Sequence, residues 1–124
     1  VKCNKMGSVF PFRDEFILTL NEIQEIQTRI NEYNVAIKTL SEQYNLALVD
    51  AHKWYAEIPN EITYNGTPVN SSFASGGAFS LDGITLTGKG KAMLANEFIK
   101  AINSKYHSTI PEINALEYNA VLFP

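Results

Sequence analysis

The sequence predicts an α/β fold whose sheet is incomplete within the chain, on three observations. Ile23, Ile26, Ile30, Tyr33, Ile37, Leu40 and Tyr44 follow one another at spacings of 3, 4, 3, 4, 3 and 4, which draws a single apolar stripe along one long helix. Directly after it, Leu46-Ala47-Leu48-Val49-Asp50 is a short continuous apolar run ending in an acid, as buried parallel strands read. A second amphipathic helix is expected over residues 91–105, with Ala92, Leu94, Ala95, Phe98, Ile99 and Ile102 on its buried face. Two long helices need more apolar partner than one strand provides, and a lone strand leaves its main-chain groups unpaired on both sides. The chain therefore reads as a single partial domain, 1–124, the end of a larger α/β unit.

Taken in order, residues 1–13 show no clear period, and Pro11 argues against an early helix. Thr19-Leu20-Asn21-Glu22 fits a capping box, so the long helix should begin there and end at Asn45. Its strict 3-4 alternation could also make a coiled-coil seam, but the flanking Gln and Asn residues supply no charge code for a partner, which favours a helix covering a sheet. Trp54, Tyr55 and Ile58 suit a short helix stopped by Pro59. Ile62-Thr63-Tyr64, Asn65-Gly66 and Thr67-Pro68-Val69 read as a hairpin, because Asn-Gly tolerates the positive φ of a tight turn, and Pro68 puts its strand at an edge. Residues 70–77 are loop. Thr87 can cap the last helix, which should end near Tyr106. The tail carries Ile110, Pro111, Ile113, Leu116, Tyr118, Val121, Leu122 and Phe123, too apolar to wave in solvent, and is expected to lie across the domain.

Composition narrows the function classes. With 124 residues, 45% hydrophobic and 19% charged, there is material for one domain. A net charge of -3 without any block of Lys or Arg argues against nucleic-acid binding. Cys3 is the single cysteine and has no internal partner. No apolar run approaches the roughly 18 residues of a membrane span, and nothing before Phe10 resembles a signal peptide, so an export address would lie upstream. His52 and His107 are far apart, with no Cys or carboxylate at ligand spacing, which predicts structural roles and neither metal nor other cofactor. Asn65-Gly66-Thr67 and Asn70-Ser71-Ser72 match the glycosylation pattern, which is short enough to arise by chance. Trp54, Tyr55 and Tyr64 read as core in preference to a pocket wall.

The run Gly76-Gly77-Ala78-Phe79-Ser80-Leu81-Asp82-Gly83-Ile84-Thr85-Leu86-Thr87-Gly88-Lys89-Gly90 resembles the last sequence block of the GDSL-type lipases and esterases, the SGNH hydrolases. There an Asp, and a His three residues later, complete a Ser-His-Asp triad just before the C-terminal helix. Here the Asp is Asp82 and the position of the His is held by Thr85. The resemblance spans most of the chain, from the long helix to the tail, and implies the C-terminal part of a three-layer doubly wound sheet with the triad at the carboxyl edge of its strands. Asp82 would orient the base, and a Thr at the base position cannot carry a proton reversibly near neutral pH. Gly83 and Gly90 match small residues of the family; by themselves they read as a turn and a tight helix start, and Asp82-Gly83 as turn chemistry. No Gly-Asp-Ser-Leu motif and no oxyanion block occurs, the nearest relic being Ser80-Leu81-Asp82.

The resemblance thus implies an ester hydrolase acting on a lipid or acylated carbohydrate, with its nucleophile on a missing N-terminal part, in a secreted, periplasmic or lipoprotein-anchored protein. Two other readings stand beside it. Thr85 supports a catalytically inactive binding module on the same fold, and the Ile23 to Tyr44 seam supports self-association through a helix.

Overall fold

The computed structural model describes residues 9–64 and 66–121, and the chain divides into two compact units, Val1–Tyr44 and Asn45–Pro124. Cys3, Asn65, Leu122 and Phe123 lie outside the described residues.

The first unit holds one 3-10 turn, Asp14–Phe16, and helix α1, Leu20–Gln43. The capping box is formed as expected: Thr19 Oγ1 accepts from Glu22 N at 3.3 Å, and the Glu22 carboxylate accepts from Thr19 N at 2.7 Å and from the Thr19 hydroxyl at 2.8 Å. Those two donors, the backbone N–H first, hold the Glu22 carboxyl below its ordinary value. The helix ends where Asn45 enters the left-handed region at φ 55°.

The predicted stripe is present, but its seven residues are 36% to 66% exposed, and no described apolar side chain of this unit is buried. The described strands both belong to the second unit, so the expectation that α1 covers a sheet finds no sheet among the described residues of its own unit. The helix, of 24 residues, is about 36 Å long.

The second unit carries the core. Helix α2, Ala51–Glu57, is capped by Asp50, whose Oδ1 accepts from Lys53 N at 2.8 Å. The run 46–50 before it was expected to be a core strand and is not one: it joins no ladder, and Leu46 and Leu48 are exposed. An apolar run becomes a strand only beside another strand, and the two described strands pair with each other and not with this run. Ala47 N instead donates to the Tyr106 hydroxyl at 3.1 Å.

After α2, Pro59 sits in a 3-10 turn, Ile58–Asn60. Strands β1, Ile62–Tyr64, and β2, Thr67–Val69, then pair antiparallel with Thr63 opposite Pro68. Pro68 is tolerated because both strands of a two-stranded sheet are edges. Trp54, Ile58, Val69, Ala78, Leu86, Ala92, Met93 and Ala115 form the buried cluster. Each of its larger members contributes about 1.5–3 kcal/mol by leaving water. The architecture is a mix of helices and one small antiparallel sheet, α/β in the broad sense, and no helix among the described residues is long and apolar enough to cross a membrane.

Helix α3, Gly88–Tyr106, starts at Thr87, whose Oγ1 accepts from Gly90 N at 3.0 Å. Its buried face is turned away from the predicted one. Ala92 is buried as expected, but so are Met93 and Asn96, while Phe98 is exposed. The return of the chain sets this face. His107, at φ 53°, reverses the direction, and residues 108–121 run back along α3 as a strap that includes a 3-10 turn, Ala115–Glu117. The expectation that the tail lies across the domain holds, with Ala115 fully buried. The fully buried Asn96 holds the strap by its main chain, donating to Ile113 O at 2.7 Å and accepting from Ile113 N at 2.7 Å.

Candidate functional site

The motif segment 76–90 folds into a closed loop in front of α3. Phe79 and Leu86 form an antiparallel bridge, Ser80 N donates to Thr85 O at 2.8 Å, and Gly83 N donates to Ser80 O at 3.0 Å. Gly83 lies at φ +70°, a conformation that L side chains seldom adopt and that the reversal at this point requires. Asp82 stands inside this reversal.

The two carboxylate oxygens of Asp82 have different partners. Oδ1 accepts from the Ser80 hydroxyl at 2.7 Å, Ile84 N at 2.9 Å and Thr85 N at 2.8 Å, which together build the loop. Oδ2 accepts, among the described residues, from the Thr85 hydroxyl alone. The Thr85 hydroxyl, the Ile84 N–H, the Ser80 hydroxyl and the Thr85 N–H, in that order, hold the Asp82 carboxyl well below the usual carboxylate range. It is an anion at any physiological pH.

The legs of the loop are fastened to α3. Thr87 N donates to Ala78 O at 3.0 Å, and the Thr87 hydroxyl donates to Gly77 O at 2.7 Å while capping the helix. Gly90 completes the joint, since a Cβ there would stand 2.5 Å from Ala78 O.

Of the residues singled out in the sequence, the structure brings Asp82 and Thr85 together and adds Ser80, whose role as a carboxylate donor was not read from the sequence. Its signal was the Ser-x-Asp spacing of a local side-chain turn. Neither His52 nor His107 is among the partners of Asp82. Trp54 belongs to the core and meets Tyr55 edge-on, with ring centroids 5.2 Å apart, while Tyr55 lies 6.2 Å from Phe79. Tyr64 is half-buried and donates to Ile113 O at 3.0 Å. A groove of about 390 Å³ runs beside Leu48, Trp54 and Ala101, and four of its charged residues pair with one another, Lys53 with Glu57 and Lys100 with Glu97.

Chemically, the loop offers an ionised acceptor with a hydroxyl on each side. A carboxylate held this far below its usual range is a poor base, so the Ser80 hydroxyl gains no nucleophilicity from it. Thr85 donates one hydrogen bond and cannot relay a proton. No family model, curated protein or solved structure matches the chain.

Proposed function

We propose that the chain is the C-terminal part of a GDSL-type ester hydrolase domain, in which Asp82 is the acid of the triad and residue 85 the position of the base. The observation that carries this reading is the division of labour at Asp82. One oxygen builds the loop, and the other is reserved for the side chain three residues on, as an orienting acid requires. The substrate class is a carboxylic ester of a lipid or an acylated carbohydrate, and the nucleophile and oxyanion groups come from the remainder of the domain. With Thr at position 85, the chain by itself is inactive. Purified chain should therefore turn over short-chain nitrophenyl esters no faster than buffer does. Burst kinetics with a trapped acyl-enzyme would overturn this assignment.

A second reading, a catalytically inactive binding module on the same fold, is favoured by the Thr85 hydroxyl. It satisfies Oδ2 of Asp82 and leaves the loop complete without an imidazole.

The reading also names a partner. The exposed stripe of α1 and the unpaired run 46–50 are the surfaces that the missing N-terminal part would cover with its sheet. Without that part they favour self-association. Light scattering at micromolar concentration should give a mass above that of one chain; a compact monomer with cooperative unfolding would refute the expectation.

A further inference from the structure

Two asparagines on α3 grip the strap in the same way. Asn96 takes both main-chain groups of Ile113, and Asn103 takes both of Ile110, donating to Ile110 O at 2.8 Å and accepting from Ile110 N at 2.9 Å. The spacings fit each other. Seven residues of helix advance about 10.5 Å and return to nearly the same face, and three residues of extended chain cover about 10 Å. The side-chain amides thus stand in for the edge of a sheet. The inner grip is reinforced by Tyr64, whose hydroxyl bonds both Asn96 Nδ2 and Ile113 O.

The far end of the strap lands where the two legs of the Asp82 loop meet α3. Asn119 O accepts from Lys89 N at 3.1 Å, and Ala120 lies against Gly77, where a Cβ would stand 3.8 Å from that of Ala120. Gly77 and Gly88 flank the joint that Thr87 fastens.

We infer that residues 108–121 act as a clasp: gripped by Asn96 and Asn103, the strap holds the two legs of the Asp82 loop together, and its release loosens that loop. The coupling is mechanical and stands whether or not residues 82 and 85 ever served an esterase. Its parts are ranked. Asn96 is fully buried and carries the inner grip, whereas Asn103 is half-buried and holds only the outer end.

Hydrogen exchange on the full chain tests this, with the amides of Gly83, Ile84 and Thr85 as reporters. Asn96→Ala should accelerate exchange about tenfold or more in residues 113–121 and at those reporters, and leave α2 unchanged. Asn103→Ala should accelerate residues 108–110 alone. A strap that exchanges faster while the three reporters keep their protection overturns the inference, as does an equal acceleration throughout α2. Should Asn96→Ala fail to fold, Tyr64→Phe removes one reinforcing hydroxyl and keeps the ring. It should give the same pattern at smaller amplitude, and protected reporters beside a loosened strap would again refute the clasp.

Discussion

Ester hydrolysis should appear when Thr85 is replaced by His in a chain that also carries a family nucleophile block. The geometry of Asp82 gives the reason. Oδ1 keeps its three donors, Ser80 Oγ, Ile84 N and Thr85 N, whatever side chain residue 85 bears, because two of them are main-chain groups and the third is on another residue. Oδ2 loses the Thr hydroxyl and becomes free to accept an imidazole N–H. Asp82→Asn in that restored background should lower turnover by about 10⁴-fold, since an amide N–H facing the ring stabilises the wrong tautomer. Stability should change little if the amide oxygen stays on the backbone donors. An Asp82 that serves the turn alone would behave in the opposite way, with stability falling and rate preserved. If Thr85→His changes nothing in the completed chain, the inactive binding module becomes the better description.

Gly90→Ala should destabilise the second unit by about 3 kcal/mol, against the sign that helix propensity predicts. An Ala in the first turn of an exposed helix would gain about 1 kcal/mol over Gly. Here the new Cβ would stand 2.5 Å from Ala78 O and 3.1 Å from Leu86 Cδ2. The carbonyl cannot withdraw freely, because it accepts from Thr87 N at 3.0 Å. The clash therefore outweighs the propensity. Denaturant unfolding of the two proteins measures the difference, and a stabilised Gly90→Ala variant would mean that the loop and α3 are less tightly joined than described.

What was legible in the sequence was local chemistry. The capping box at Thr19 and Glu22, the Thr87 cap, the hairpin around Gly66 and the turn at Gly83 each depend on a few neighbouring residues, and each was formed where expected. The strand expected at 46–50 failed because pairing is not a property of the run itself. The stripe of α1 is present, and its residues stay exposed within their own unit. The buried face of α3 departs from the apolar pattern for another reason. Its most enclosed residue is polar, and Asn96 is buried by a strap that binds it through main-chain groups, so a search for apolar periodicity points instead at Phe98, which is exposed. At the candidate site, Asp82 and Thr85 were legible as a pair, whereas the Ser80 hydroxyl and the fastening of both legs through Thr87 and Gly90 depend on contacts that no spacing rule encodes.

Because the two asparagines read main chain and not side chains, the clasp distributes mutational tolerance unevenly. The exposed strap residues Thr109, Ile110 and Glu112 can change identity at a cost within about 0.5 kcal/mol, yet Asn96 and Asn103, which hold the main chain of Ile113 and Ile110, can change to almost nothing. Proline is the exception that marks the register. At 110 or 113 it would delete an N–H that an asparagine requires. At 111 it deletes no bond to either asparagine and confines Ile110 to extended conformations, and that is where the chain has placed Pro111.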